Sequence, residues 1–543
     1  MTYSIDEIIR KIYGRYSKQG WTAAAGALII GAVTHLFILS NELFNHDDLG
    51  SFFKAETGVR PLRWLQSVFV NFVSPWGSPV LTGSLTIILI AVSALLVADT
   101  FEIQSHALAV LIGGIMASSP IVASFMSYVE GSYLFVIGLP FAILAVRWYE
   151  KGIHGYLLAI VFIMLATAGY QSLFAVVIAG MYIQLFGRLL HENWSLKEWI
   201  IGAVKAVSAL LLGLVTYILS TKVATLFVFG NTDQALNLGV TKTELQVQGY
   251  EAQAESGTVY LSNILNTVKG AAKQFIHYHF NTLFDGANQS PVSRYCVAAN
   301  IILLLGLCAI TAVYVIRVHG IWHKILLIIS FLAAPICLNS TEILLNGKAT
   351  ASMQMMYSLV FTAVFVVGIV QSTIGERFKN LMGNIAFIVL VINIYTNMQI
   401  TNDAYMRMYT IYETAYSEMT RILDRVEQLP EWQQGTRKLY FDFAEDSGYL
   451  VNENYQSFTW MDNYIDMGWC GVMGTGVYRF YNSENTAKFV EAYFGIKFET
   501  PAVSEIEKLK MSPEYQKLEM FPSIDSVKVI DDIVVVRMDD SVG

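Results

Sequence analysis

Charged residues are scarce in this chain. Only 14% of its 543 residues are Asp, Glu, Lys or Arg, whereas 54% are hydrophobic and the mean hydropathy is +0.48. A soluble globular chain carries about 25% charged residues, so this composition excludes an ordinary soluble domain. It predicts an integral membrane protein of mainly α class.

Several motifs of enzyme and transporter chemistry are missing. The sequence contains no CxxC, HExxH, Walker A or GxGxxG pattern, which argues against a zinc hydrolase or a nucleotide-binding transporter. Of the four cysteines, three lie in apolar runs and Cys470 is alone outside them, so we expect no disulfide framework. The basic N-terminal segment leads into an apolar run without a small-residue cleavage site, and we expect no cleavable signal peptide.

Long apolar runs dominate the first 400 residues. A membrane-spanning helix needs about 20 predominantly apolar residues. Eleven runs fit this requirement and predict a polytopic helical protein of about eleven spans: 21–40, 79–98, 106–124, 131–148, 154–170, 171–190, 199–220, 296–316, 323–339, 354–372 and 380–400.

The positions of Lys and Arg predict the orientation. They collect in the N-terminal segment and after alternate spans, whereas the short connections at 124–131 and 169–172 contain neither. Because basic residues are retained on the cytoplasmic side, we expect a multi-pass protein of the cytoplasmic (inner) membrane with a cytoplasmic N-terminus. An odd number of spans then places everything after residue 400 outside.

The charge balance predicts two domains. Residues 401–543 contain 24 acidic and 13 basic residues, a net charge of −11, whereas residues 1–400 contain 19 and 22, a net charge of +3; together they give the total of −8. We therefore divide the chain into a membrane domain, 1–400, and an extracytoplasmic domain, 401–543.

The second domain has the patterns of an α+β fold. Tyr405 to Leu429 has helical periodicity, and a short helix is expected around Phe489 to Phe494. Alternating residues predict strands at Lys438 to Phe443, Val527 to Ile530 and Ile533 to Met538, the last two joined by an Asp531-Asp532 hairpin turn.

Two amphipathic segments are predicted to lie in the outer membrane interface. Trp64 to Val73 would form a short helix that covers the candidate site described below, with Val68 on its apolar face and Gln66 towards water. Thr258 to Phe280 would form a second interfacial helix, with Lys269 on its polar face.

Acidic residues on the predicted outer side are the first candidates for chemistry. Asp47 and Asp48 directly follow the first span, and Glu130 and Glu342 lie in short outer connections between apolar runs. Such residues often only mark the membrane boundary. Ionisable groups near membrane depth are nevertheless costly and are read as functional.

These acidic residues, together with basic residues on the same side, suit the transfer of a sugar from a lipid phosphate to a hydroxyl group. The reaction needs a carboxylate that accepts the proton of the hydroxyl, and Asp48 or Asp47 could be this base, with Asp48 marginally preferred because it lies nearer Arg60. Glu130 could orient a sugar. A cation must stabilise the phosphate leaving group.

Three basic residues on the same side could supply that cation. They are Arg60, Arg63 and Lys348. The Asp pair could also hold a divalent cation such as Mg²⁺ or Mn²⁺, or work without one, so the sequence leaves metal dependence open.

Four stretches together resemble the GT-C glycosyltransferases, and among these the bacterial Gtr-type (type II) glucosyltransferases that modify O-antigen. The stretches are Asn45-His46-Asp47-Asp48, Gly58-Val59-Arg60-Pro61-Leu62, Ser127-Tyr128-Val129-Glu130-Gly131-Ser132 and Gly169-Tyr170-Gln171-Ser172. The resemblance implies a polyprenyl-phosphate-linked donor, usually of glucose, and a surface polysaccharide or lipid-linked glycan as acceptor. It also implies that Tyr128, Tyr170 and Gln171 contact substrate. One departure is that an arginine expected before the tenth span is absent, with only Lys348 nearby.

Other membrane functions remain as alternatives. A surface polysaccharide polymerase or ligase would more often carry arginines and a histidine in large outer loops, and a lipid-linked sugar flippase would carry charges inside its spans, which are nearly uncharged here. A structural or receptor-like membrane protein would need no outer acids. We expect membrane lipids as partners and no nucleic acid.

Overall fold

The computed structural model describes residues 4–43, 61–70, 78–129, 131–190, 195–229, 257–280, 291–344, 353–432, 438–442 and 483–538. Within these ranges the chain is mostly helical with one small sheet. The helices of the first part are α1 Ile5–Tyr13, α2 Lys18–Ser40, α3 Trp64–Phe69, α4 Pro79–Thr100, α5 His106–Ser118, α6 Pro120–Met126, α7 Leu139–Trp148, α8 Gly152–Gly169, α9 Leu173–Leu189, α10 Leu196–Phe229 and α11 Gly257–Phe280.

The second part continues with further helices and the strands. The helices are α12 Pro291–Arg317, α13 Ile321–Cys337, α14 Thr341–Leu344, α15 Phe361–Gln371, α16 Glu376–Glu427, α17 Ser483–Phe494, α18 Val503–Lys510 and α19 Pro513–Gln516. The strands are β1 Lys438–Asp442, β2 Val527–Ile530 and β3 Ile533–Arg537. Short 3₁₀ turns lie at Pro61–Arg63, Ser132–Phe135, Met353–Met355, Tyr357–Val360 and Ile524–Ser526.

Every predicted apolar run contains a helix, but the helices differ in length. In the described part of the chain, six helices are long and apolar enough to cross a membrane, and α5 with α6 makes a seventh if this bent pair is one span. The other four runs hold shorter apolar helices of 10–17 residues. The structure thus supports a polytopic membrane protein, whereas the number of eleven spans stays a prediction.

Proline accounts for the bend in the third run. α5 and α6 meet at Ser119-Pro120 with an angle of 44°. Proline lacks the backbone N–H and disfavours helical backbone in the preceding residue. Ser119 caps the second half, because its Oγ accepts the N–H of Ile121 at 3.4 Å.

The last predicted span and the helix expected after it form one continuous helix. α16 has 52 residues, and at 1.5 Å per residue it is about 78 Å long, against about 30 Å for the hydrocarbon core. Residues 401–404, between the two predicted helices, contain neither Gly nor Pro, so nothing in the sequence breaks the helix there. The predicted domain boundary after residue 400 falls inside α16, and the division into two domains stays a prediction.

A buried histidine ties α16 to the first span. His35 Nε2 lies 2.8 Å from the carbonyl oxygen of Ala117, and its Nδ1 lies 2.6 Å from the hydroxyl of Tyr405. A carbonyl can only accept, so Nε2 carries the proton and Nδ1 accepts the Tyr405 O–H. The three groups join α2, the end of α5 and α16.

Two ion pairs lie at the end of the bundle where α2 begins. Arg147 pairs with Asp99, whose other oxygen accepts the backbone N–H of Ser17 at 3.0 Å. Arg188 pairs with Glu150, and Glu150 lies three positions after Arg147 in the sequence. Arg147 and Arg188, both predicted to be cytoplasmic, therefore share one end of the bundle with the beginning of the first span.

The sheet has the strand order β1-β3-β2. β1 runs parallel to β3, with Lys438 opposite Ile533, and β2 pairs antiparallel with β3, with Ile530 opposite Ile533. Asp531 and Asp532 join β2 to β3 with φ values of 47° and 70°. Both residues lie in the left-handed region, as a two-residue hairpin turn requires, so the predicted hairpin is confirmed.

Both faces of the sheet are covered. One face packs its buried residues, among them Phe441 and Val534, against the second half of α16 and against α17. The other face packs Tyr440 and Val535 with Leu509 of α18 and with the α19 region. The alternation of sides follows from the two-residue period of a strand.

α11 does not lie wholly at the surface. Lys269 is exposed, as predicted, but the last turn of the helix enters the bundle. The Tyr278 hydroxyl lies 3.1 Å from Ser119 Oγ, and His279 Nε2 lies 3.2 Å from Thr362 Oγ1. The predicted interfacial position is therefore wrong for the C-terminal end of α11, because periodicity alone does not separate a lipid-facing side from a protein-facing one.

Candidate active site

Arg63 is the predicted site cation that lies within the described residues. It ends a 3₁₀ turn that leads into α3. Its Nε donates to Gln171 Oε1 at 3.1 Å, and its guanidinium carbon lies 4.9 Å from the centre of the Tyr170 ring. The hydrogen bond and the cation–π contact fix the plane of the guanidinium group.

The break between α8 and α9 places Tyr170 and Gln171 beside this arginine. Tyr170 leaves the helix with an extended backbone, φ −157° and ψ 123°. Gly169, the last residue of α8, lies close to the backbone of Gly138, since a Cβ there would meet the Cα and N of Gly138 at 3.0 Å. This close approach of the two backbones favours glycine at position 169.

A backbone carbonyl holds the amide of Gln171 in place. Gln171 Nε2 donates to the carbonyl oxygen of Leu62 at 3.3 Å, and the hydroxyl of Tyr217 donates to the same oxygen at 2.9 Å. Tyr217 belongs to α10 and was not predicted as a site residue. Its position near the C-terminal end of an apolar run was the only signal in the sequence.

Tyr128 joins the cluster through an aromatic neighbour. The rings of Tyr128 and Phe135 are 5.0 Å apart, and those of Phe135 and Tyr170 are 5.1 Å apart in an edge-to-face arrangement. Phe135 also stacks on Phe125 at 5.3 Å. The structure thus brings together Arg63, Tyr128, Tyr170 and Gln171, which are the predicted site residues that it describes, and adds Phe135 as a residue missed from the sequence.

Helix α3 covers this cluster in an orientation that differs from the prediction. Gln66 was expected to face water, but it is buried and its Nε2 donates to the carbonyl oxygen of Leu134 at 3.2 Å. Val68, expected on the apolar face, is 59% exposed, as a side chain that faces lipid would be. The Trp64 indole donates to Ser220 Oγ at 3.1 Å and attaches the beginning of the helix to α10. The predicted facing is therefore wrong for Gln66, because its hydrogen bond to Leu134 buries the amide.

The remaining predicted site residues, Asp47, Asp48, Arg60, Glu130 and Lys348, lie outside the described residues. Val129 is buried against the core formed by α16, α17 and the sheet, and Leu134 N–H donates to the carbonyl of Gly131 at 2.9 Å.

Glu42 is the described acid nearest to the Asp pair in sequence. It follows the end of α2 by two residues, and desolvation by the surrounding protein raises the pKa of its carboxyl group. Glu342, which the sequence predicts to lie on the outer side, is buried and accepts a hydrogen bond from Gln274 Nε2 of α11. The contact of Glu342 indicates a structural role in attaching α11 to α14.

The described residues contain no group of three or more His, Cys, Asp or Glu side chains that could hold a metal ion. The Asp47 and Asp48 pair lies outside the described residues. A divalent cation at the pair therefore stays a prediction.

A family model, glucosyl transferase GtrII, matches residues 36–367, which is more than half of the chain. The matched range includes every predicted site residue from Asp47 to Lys348. No curated protein and no solved structure matches the chain.

Proposed function

Because the chain belongs to the glucosyl transferase GtrII family and is therefore a glycosyltransferase, we propose that it moves glucose from a polyprenyl-phosphate-linked donor to a surface polysaccharide or another lipid-linked glycan on the outer face of the membrane. The observation that carries this proposal is the oriented Arg63 beside Tyr170 and Gln171.

Arg63 is suited to the donor phosphate. Its Nε donates to Gln171, and one face of its guanidinium plane contacts the ring of Tyr170. Nη1 and Nη2 carry four further N–H donors in the same plane. Arginine binds phosphate oxygens in a bidentate manner, with bonds about twice as strong as neutral ones. Arg60, three residues earlier, and Lys348 would add positive charge.

The chemistry is a single displacement. Asp48, or Asp47, accepts the proton of the acceptor hydroxyl as its oxygen attacks C1 of the sugar. The bond between C1 and the phosphate oxygen breaks, and the polyprenyl phosphate leaves with the bonding electron pair, stabilised by Arg63. Glu130 orients a sugar. One displacement inverts the anomeric carbon, and a Mg²⁺ or Mn²⁺ ion on the Asp pair would stabilise the same negative charge.

The proposed orientation has a cytoplasmic N-terminus in the inner membrane and an extracytoplasmic sheet. The Arg147 and Arg188 ion pairs at the end where α2 begins support it. The sheet lies towards the other end, because α16 passes the end of α2 before it reaches the sheet. The Arg63 cluster does so too, because α8 begins beside Glu150 and ends just before Tyr170 and Gln171.

A transfer assay tests the function. Protein in lipid nanodiscs is given polyprenyl-phosphate [¹⁴C]glucose and lipid-linked glycan, and both the labelled product and the released lipid phosphate are measured. We expect Asp48→Asn to lower the rate by about 10²–10⁴-fold, as for loss of a general base, and Asp47→Asn to cost less. Glu130→Gln should also lower activity. Asp6→Asn, in α1 at the other end of the first span, is the control and should be unchanged.

Near-normal transfer by both Asp variants would refute the mechanism. In sealed proteoliposomes, movement of the lipid-linked sugar across the membrane without release of lipid phosphate would instead favour the flippase alternative.

A further inference from the structure

A partly open cavity lies between helices of the bundle, away from Arg63. It has a volume of about 70 Å³ and is lined by residues of α11, α12, α15, α16 and the bend between α5 and α6. Apolar side chains make up about half of its lining, and the uncharged polar side chains include Tyr278, His279, Asn300, Thr362, Asn393 and Asn397.

A chain of hydrogen bonds holds one wall of the cavity. Asn393 Nδ2 donates to Asn300 Oδ1 at 2.8 Å, and Asn300 Nδ2 donates to the backbone carbonyl of His279 at 3.0 Å. The His279 ring is directed to Thr362. These bonds join α16, α12, α11 and α15, so the wall is preorganised.

Polar residues in membrane helices often serve only to hold helices together. That role requires close packing, and here a hollow remains beside the bonded groups. A space of about 10–15 Å³ on this measure holds one water molecule, so about five would fit. A space of this size beside uncharged polar groups can accommodate a few hydroxyl groups.

The charge of the lining selects among ligands. The described residues that surround the cavity include no Asp, Glu, Lys or Arg. A phosphate held there would lack a counter-charge in a medium of low dielectric constant, which is costly. Asparagine, threonine, tyrosine and histidine can both donate to and accept from hydroxyl groups, so a neutral polyhydroxyl compound is favoured.

The cavity and the Arg63 cluster are separated by aromatic side chains. Phe135, which contacts Tyr170, stacks on Phe125, and the Phe125 ring lies 5.9 Å from that of Tyr357. The Tyr357 hydroxyl in turn donates to the Met116 carbonyl near the cavity at 2.8 Å. The two sites therefore flank α6, one cationic and one neutral.

From the neutral polar lining and its position, we propose that this cavity is a carbohydrate-binding site that takes hydroxyl groups of a sugar and excludes phosphate. The sugar belongs either to the donor or to the acceptor glycan. This proposal rests on the proposed function for the identity of the two substrates.

The experiment compares variants of the cavity wall in nanodiscs. His279→Phe and Asn397→Leu remove polar groups from the lining. Asn402→Leu is the matched control on the same helix, because Asn402 donates to the Met398 carbonyl within α16 at 2.7 Å and does not line the cavity. Thermal unfolding confirms that each variant is folded, and His279→Gln replaces His279→Phe if the latter is not.

Binding is measured with three probes: polyprenyl-phosphate glucose, polyprenyl phosphate without sugar, and octyl glucoside below its micelle concentration. We expect the cavity variants to lose about fivefold to tenfold in affinity for a sugar-bearing probe, as for one hydrogen bond, with unchanged affinity for polyprenyl phosphate. Loss for polyprenyl-phosphate glucose assigns the donor sugar, and loss for octyl glucoside alone assigns an uncharged acceptor sugar.

Unchanged binding of both sugar probes would overturn the proposal, and so would an equal loss for polyprenyl phosphate. A wild-type protein that binds octyl glucoside through this cavity but binds neither polyprenyl probe would contradict the proposed donor while supporting the carbohydrate site.

Discussion

Replacement of Arg63 by lysine tests whether an oriented guanidinium group, and not only a positive charge, is needed. Arg63→Lys removes the 3.1 Å hydrogen bond to Gln171 and the stacking on Tyr170. A hydrogen bond to a charged group contributes about 1.5–3 kcal/mol, and a cation–π contact about 0.5–2 kcal/mol. Lysine keeps the charge but is a flexible point charge without the planar fork.

If about 3 kcal/mol of this orientation energy is lost in the transition state, kcat/KM falls on the order of 10²-fold, since 1.4 kcal/mol corresponds to tenfold. The assay is the initial rate of transfer from polyprenyl-phosphate glucose at varied donor concentration. Gln171→Leu, which leaves the arginine in place, should cost less, about tenfold. The cause in both cases is a misplaced phosphate contact.

Arg317→Lys is the matched control, because this arginine ends α12, carries the same charge and is not one of the predicted site residues. It should be indistinguishable from wild type. A rate for Arg63→Lys within twofold of wild type, in folded protein, would show that the orientation set by Tyr170 and Gln171 is irrelevant to catalysis.

Three further predictions concern packing, pH and topology. Gly169→Ala should lower the melting temperature, since its Cβ would meet the Gly138 backbone at 3.0 Å. Gly187→Ala is the control and should not lower it, because no other side chain or distant backbone atom lies within 4 Å of its Cβ. Equal melting temperatures of the two variants would contradict this contact. The hydrogen bonds from the Lys438 ammonium group and a backbone N–H lower the pKa of Glu505 below its usual 4.5. Their stabilisation is thus present above pH 4.5 and lost as the pH falls through the lowered pKa, so hydrogen-exchange protection of α18 should decrease on acidification in wild type and stay at the reduced level in Glu505→Gln. A tag after Gly543 should react only with reagents added outside intact cells, and cytoplasmic labelling would reverse the orientation.

The apolar runs were predictable because lipid requires every backbone polar group to bond within its own segment, which makes helices obligatory. Their lengths were less predictable. Pro120 bends one run, and the absence of Gly and Pro at 401–404 merges two predicted helices into α16. Local breakers set these details, whereas whether a short apolar helix such as α9 crosses the membrane depends on its neighbours.

Part of the Arg63 cluster could be predicted from the sequence. Tyr170 and Gln171 were visible as the break between two apolar runs, and Arg63 as a cation after the first span. That these residues touch was not visible, because Arg63 and Gln171 are 108 positions apart. Tyr217 and Phe135 had no signal beyond an aromatic residue in an apolar run, which is the usual composition of a core.

The sequence by itself determined the membrane class, the strand hairpin at Asp531-Asp532 and the residue types available for sugar transfer, since these follow from composition, period and turn chemistry over short distances. Only the tertiary structure decided that Gln66 is buried and that the last turn of α11 enters the bundle. It also decided that a cationic cluster and an uncharged cavity lie beside opposite ends of α6. The reason is physical: which side of a helix faces protein or lipid depends on hydrogen bonds and contacts made by residues far away in the chain. A local sequence pattern cannot distinguish lipid from the protein interior, because both are apolar.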